Sequence, residues 1–202
     1  GTNSGVSNGL YLSNGNITAS NNNININTGS ISITGIDFTV NGSVSQALVD
    51  NNSITLTSSA DSTIARGIGT SLTTVSNGFT ITNNTINSIT STATTGNPTL
   101  FGIRASVGTN NVISHNTIKD LTTAATSGDG FVFGVDVSGL SVTPKVFANK
   151  IYNLQTNASG VNTSVSGINV LLTGTTNFSF YNNFISELSA PSANSPTAVN
   201  GI

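Results

Sequence analysis

Six isoleucines recur at nearly equal intervals, each two residues after an asparagine. The Ile column is Ile24, Ile54, Ile86, Ile118, Ile151 and Ile185, and the Asn column is Asn22, Asn52, Asn84, Asn116, Asn149 and Asn183. Successive Ile residues are 30, 32, 32, 33 and 34 positions apart. A second column runs in parallel, a Gly followed by a β-branched residue: Gly35-Ile36, Gly67-Ile68, Gly102-Ile103, Gly134-Val135, Gly167-Ile168 and Gly201-Ile202. These glycines differ by 32, 35, 32, 33 and 34, and Gly9-Leu10 begins the series in a shorter unit. Two columns sharing a period of roughly 33 residues are the mark of a solenoid or array.

The local period inside each repeat is two. FVFGVDV and NGSISITGIDFTV alternate apolar with other residues, which argues for strands. Nothing repeats at 3.6, and Ala, Leu, Glu and Lys are too few for helices, so ankyrin, tetratricopeptide and HEAT arrays are excluded. Propeller blades are longer than this repeat, and their Trp-Asp signal is missing. The expected fold is all-β: a right-handed parallel β-helix solenoid of about six coils, each of roughly 33 residues with three short strands. It occupies residues 1–202 as a single segment. In the third repeat the strands fall near Gly67–Thr70, at Phe79–Thr82 and at Ile86–Ile89, with a looser loop near Thr90–Thr99. The second strand turns into the third at the Asn, a residue that tolerates the left-handed conformation of a sharp bend. Stacked about 4.8 Å apart, such Asn side chains can bond from coil to coil as a ladder.

The core columns follow. Val49, Ile81, Ile113, Val146 and Phe180 stand three before the Asn, the Ile column two after it, and Ile36, Ile68, Ile103, Val135 and Ile168 one after the Gly. Hydrophobic residues are 36% of the chain, and their regular spacing separates it from a disordered Ser/Thr/Asn-rich linker. Charged residues are only 6%, against about 25% in ordinary soluble domains. The five basic residues are scattered, so no basic stripe exists for nucleic acid. The absence of Cys excludes disulfides, zinc-thiolate sites and thiol catalysis. No apolar run is long enough to span a membrane as a helix.

The x-I-x-x-N-x-I unit, here FTITNNTI, VISHNTI and VFANKI, resembles the right-handed parallel β-helix repeats of the pectin-lyase-like superfamily. That likeness covers nearly the whole chain and is specific for fold. It implies a function somewhere among polysaccharide lyases and hydrolases, tailspikes, adhesins and surface-protein stalks. The low-charge, Thr/Asn/Ser-rich version is similar to repeat regions of large bacterial surface proteins, which implies an extracellular or cell-surface location.

Candidate site residues are few. His115, the single His, occupies a column otherwise holding Asn21, Asn51, Asn83, Ala148 and Asn182, so it reads as a turn residue. Arg104 and Asp136 share a column on adjacent coils and are expected to point outward as an exposed ion pair. Asp120 and Glu187 are the possible carboxylate pair for an enzyme, in one column two coils apart, about 10 Å from each other with Asn153 between, where glycosidases need about 5 Å or about 6.5–9.5 Å. Asp129, in SGDGF, is placed near Asp136 in an alternative arrangement. The clustered Asp and Gly-His-Gly of polygalacturonases are absent, as are DxDxDG and GGxGxD calcium motifs. Sequons at Asn16, Asn41, Asn83 and Asn157 are expected by chance in this composition.

No catalytic, cofactor-binding or metal-ligating residue is therefore expected. The preferred reading is a non-catalytic structural or adhesive stalk or fibre. Its partners would be polysaccharide or further copies of itself end to end, without nucleic acid and without membrane insertion. The alternative is a carbohydrate-active enzyme or polysaccharide-binding β-helix, which clustered acids on one face would favour. Ice binding is weaker, because the Thr-rich LTTVS and LTTAATS do not form one outward T-x-T column. Met is absent even at position 1, and the chain stops at Gly201-Ile202 inside a repeat. Further coils, or end-to-end stacking of identical segments, are expected there because an open coil leaves strand edges unpaired.

Overall fold

The computed structural model describes residues 5–13, 16–39, 47–70, 78–106, 110–140, 144–173 and 177–202. These form three parallel sheets, of seven, six and six strands, in which each strand pairs with its counterpart one coil away. Sheet A contains Val6–Ser13, Ser32–Thr39, Ile64–Thr70, Thr99–Ala105, Phe131–Leu140, Ser164–Thr173 and Val199–Asn200. Sheet B runs from Ile17–Ser20 to Ser179–Tyr181, and sheet C from Asn23–Thr28 to Phe184–Ser189. Every strand pair is parallel, and the Ile column is in register: Ile86 sits between Ile54 and Ile118, followed by Ile151 and Ile185. The short first step also holds, since Leu10 pairs with Ile36. The chain is thus a parallel β-solenoid with a repeat near 32 residues.

The third repeat shows how far the strand assignment reached. Its strands are Ile64–Thr70, Phe79–Thr82 and Thr85–Ser91. The first and third are longer than the sequence predicts, because pairing extends back to Ile64 and on to Ser91. The expected loop shrinks to the stretch between Ser91 and Thr99.

Between sheets B and C the connection is always two residues, and here one expectation needs correcting. The left-handed residue is not the ladder Asn but the one before it. Asn21, Asn51, Asn83, His115, Ala148 and Asn182 all have φ between 52° and 60°. The ladder Asn follows with its side chain turned inward, where it meets the backbone of the preceding coil and the ladder Asn of the next. Asn116 Nδ2 donates to Asn149 Oδ1 at 3.0 Å and to the Ile81 carbonyl at 3.0 Å. Its Oδ1 accepts from the Asn84 backbone N–H at 2.9 Å and from Asn84 Nδ2 at 3.0 Å. The Asn–Asn bond repeats without a break from Asn22 to Asn183. This division of labour explains the two Asn columns differently. The first position sets a positive φ and asks for no particular side-chain bond, so His and, at a cost, Ala also occur there. The second needs both an amide donor and a carbonyl acceptor, which only Asn supplies at this reach.

Sheet C carries a corner that alternation alone did not reveal. Asp120, Asn153 and Glu187 have φ of 59°, 57° and 54°. The chain bends there, so Ile118 and Leu121, three apart, both face the core, whereas Ile54 and Leu56 do so two apart. Sheet A carries the opposite kind of irregularity. In Thr99–Ala105, the consecutive residues Gly102 and Ile103 are both buried. A Cβ on Gly102 would lie 2.5 Å from the Gly134 carbonyl oxygen and 2.5 Å from Ile118 Cγ2. The Gly column is therefore inward-facing, and only a hydrogen atom fits between the backbone of the next coil and the Ile column of sheet C.

Candidate functional site

The outer face of sheet A carries residues that are shielded from water although they stand outside the core cluster. Phe101 alternates out of the core and stands outside the buried core cluster, yet it is only 6% exposed. Asp136, on the same face, is 4% exposed. The register builds two columns either side of the glycines. Before them, Phe101 sits over Arg66 and Phe133 over Phe101. After them, Arg104 sits over Gly69, Asp136 over Arg104 and Asn169 over Asp136. Phe131 joins from the strand start, its ring stacked 6.3 Å from Phe133, which in turn lies 5.4 Å from Phe101.

The polar members divide into satisfied and unsatisfied groups. Asp136 accepts from Asn169 Nδ2 at 2.7 Å and from the Ser138 hydroxyl at 3.1 Å, and Arg104 Nε lies 3.5 Å from its Oδ2. The Arg104–Asp136 pair expected from the sequence is therefore present, but it is not the exposed pair expected, because Asp136 is buried. Arg104 also stands over the Phe101 ring at 4.9 Å, and Arg66 at 6.0 Å. Arg66 reaches this position because its neighbour is Gly69: a Cβ there would be 3.0 Å from Arg66 Cδ. The missing side chain lets the Arg66 stem lie across the place directly below Arg104. Burial, and then repulsion from Arg104, lower the Arg66 pKa from its ordinary value, with Asp37 and Asp136 pulling the other way. Among the described residues, the ion pairs are Arg104–Asp136 and Lys119–Asp120, so Arg66 belongs to none.

The other residues singled out from sequence lie elsewhere. His115 is exposed in the left-handed turn position, edge-on to Phe147 at 5.6 Å. Asp120 and Glu187 share the sheet C corner with Asn153, whose Nδ2 donates to Asp120 Oδ1 at 2.5 Å, while Lys119 Nζ lies 3.2 Å from Oδ2. Asp129 is not beside Asp136 but in the connection from sheet C to sheet A. There it accepts from the Asn162 backbone at 3.0 Å and from Asn162 Nδ2 at 3.1 Å, and its own N–H donates to Asn97 Oδ1 at 2.8 Å. The stretch LTTAATS ends sheet C, where Thr123 bonds Thr156 across coils at 2.8 Å. LTTVS and the sequon at Asn41 lie outside the described residues. Among the described residues no three His, Asp or Glu side chains group as metal ligands, and no helix is long and apolar enough to cross a membrane.

Comparison with known proteins found no matching family model, curated protein or solved structure.

The outer face of sheet A gathers four of the chain's charged residues, Asp37, Arg66, Arg104 and Asp136, with three of its phenylalanines, Phe101, Phe131 and Phe133. Sequence reasoning named two of these, Arg104 and Asp136, and missed Asp37, Arg66, Phe101, Phe131 and Phe133. The signal was present: the residue before each Gly reads Thr34, Arg66, Phe101, Phe133 and Ser166, a column whose large members have no place in a core that the Gly itself faces.

Proposed function

We propose that this chain is a non-catalytic structural or adhesive β-solenoid, a stalk or fibre segment of a secreted or cell-surface protein. Axial cohesion carries the reading. The polar side chains of the turns bond from one coil to the next: the Asn ladder inside the B–C turn, the Asn97–Asp129–Asn162 series in the C–A connection, and Thr123 on Thr156 at the end of sheet C. A solenoid built this way resists extension along its axis, because each coil is tied by side chains as well as by three ladders. The likeness of the x-I-x-x-N-x-I unit to pectin-lyase-like repeats, and of the composition to bacterial surface proteins, supports the same reading.

A second reading, a polysaccharide-binding β-helix, is favoured by the outer face of sheet A, where Phe131 and Phe133 adjoin hydrogen-bonding Asp136 and Asn169. Catalysis would have to use the carboxylates of the sheet C corner. The test is incubation with pectins, alginates and glucans, followed by assay of new reducing ends and unsaturated products. No turnover is expected. Robust turnover abolished by Asp120→Ala or Glu187→Ala would overturn the non-catalytic reading.

A further inference from the structure

We propose that the corner between sheets B and C carries, over its fourth to sixth turns, a docking surface for an anionic lipid membrane. A docking role goes beyond the stalk reading and stands without it. The corner changes character half-way along the axis. At its first three turns the outward residues are Asn, Ser and Thr, with Leu48 and Asp50 the exceptions. At the next three they include Lys145, Phe147, Lys150, Tyr181 and Phe184, with His115 at a left-handed position. Tyr181 lies over Phe147 and Phe184 over Lys150, so the rings share columns with other outward residues. Tyr181 is 47% and Phe184 59% exposed, and both lysines are exposed. The five basic and seven acidic residues all lie among the described residues, yet neither Lys145 nor Lys150 belongs to an ion pair. The nearest carboxylates along these columns are Asp50, three coils below Phe147, and Glu187, past the sheet C corner.

Shape and chemistry together select the partner. Phe147 and Tyr181 stack along the axis with centroids 4.9 Å apart and planes 1° from parallel. His115 stands edge-on to Phe147 at 5.6 Å from the coil below. Rings stacked in this way cover each other's faces and turn their edges to solvent. A ring edge is the positive part of the quadrupole, so it favours negative groups over the CH face of a sugar. The turn is convex and cannot enclose a small ligand. The surface is also small. The stretch from Lys145 to Lys150 over three coils measures about 20 by 14 Å, on the order of 300 Å², against about 800 Å² per partner in a stable protein interface. A headgroup layer needs no such area. Exposed aromatic rings lodge at its depth, and lysine stems lie along apolar matter while their ammonium groups reach the phosphates. Contact stays at headgroup level and needs no spanning segment.

The experiment is co-sedimentation of residues 1–202 with vesicles of phosphatidylcholine alone and of phosphatidylcholine mixed with phosphatidylglycerol, at low and at high salt. The expected result is binding to the mixed vesicles, weakened by salt and absent with phosphatidylcholine alone. Lys145→Gln and Lys150→Gln should each weaken it about fivefold, and Phe184→Ser about tenfold. The chain has no Trp, so Phe184→Trp supplies a single reporter whose emission should shift to the blue on the mixed vesicles. Leu48→Trp, in the Lys145 column three coils below, should show no shift. No binding to either vesicle, equal binding to both, equal shifts of the two reporters, or unchanged affinity in the lysine variants or in Phe184→Ser would each overturn the proposal. So would binding to poly-glutamate as tight as to the mixed vesicles, which would make the partner an acidic protein. Thermal unfolding of the variants shows that a loss of binding is not a loss of fold.

Discussion

Replacing Asn116 by Ala removes one rung from the middle of the Asn ladder, and its cost can be worked from the bonds it breaks. Asn116 is 1% exposed, so water cannot stand in for the lost amide. The Asn84 backbone N–H loses the acceptor it reaches at 2.9 Å, and the Ile81 carbonyl loses the donor at 3.0 Å. The remaining partners are buffered. Asn84 Nδ2 keeps the carbonyls of Val49 and Thr82 at 2.9 and 2.8 Å, and Asn149 Oδ1 keeps the Asn116 backbone N–H at 3.0 Å. Two buried groups are thus left unpaired at about 1–3 kcal/mol each, so the expected loss is about 2–6 kcal/mol. Asn22→Ala is the internal control. Asn22 is partly exposed and donates to Asn52 Oδ1 at 2.8 Å and to the Ser20 carbonyl at 3.2 Å, where solvent can substitute. Its loss should be about 1 kcal/mol or less. Urea unfolding of the two variants beside the parent, with the slope checked for constancy, measures both. Equal losses, or a loss below about 0.5 kcal/mol for Asn116→Ala, would refute the claim that buried rungs hold the coils together.

Ala148 sits at φ 54° in a column otherwise filled by Asn or His, so Ala148→Asn should stabilise by about 0.5–1 kcal/mol, read from the urea midpoint; no gain would mean that the left-handed turn is unstrained there. Gly102→Ala places a methyl group 2.5 Å from a carbonyl oxygen and from Ile118 Cγ2, and should cost about 2–3 kcal/mol; a variant as stable as the parent would refute the tight packing of the Gly column. Arg66 has a folded pKa below its ordinary value, chiefly through burial and then through Arg104, so its charged form destabilises the fold at every pH below that value. Arg66→Gln should therefore leave the thermal midpoint unchanged or raise it at neutral pH, and a clear drop would make Arg66 a structural residue.

How much was legible in advance depended on direction within the solenoid. Along the axis, the period of the Asn, Ile and Gly columns is enough. Each residue of a parallel in-register stack meets its own counterpart one coil away, so Ile86 under Ile118 and Asn84 bonded to Asn116 follow from counting. Across a coil, counting fails. Which residues of different columns meet depends on where the cross-section bends, and bends are set by backbone conformation at single residues. The left-handed position fell one residue before the expected Asn, and the Asp120 corner looks from sequence like any outward residue of a strand.

The outer face of sheet A shows the same division. The column holding Arg104 and Asp136 was visible as a vertical pair. That Asp136 would be buried was not, because burial depends on what packs around it from other columns. Arg66 lies in a different column from Arg104, and its stem packs against Gly69, the residue with which Arg104 pairs. By itself the sequence determined the stacking, because vertical neighbours share a column and a column needs only a period. The tertiary structure alone decided which charges and rings share the outer face, because lateral neighbours are chosen by the shape of the coil, and that shape is set by steric fits as local as the single hydrogen of a glycine.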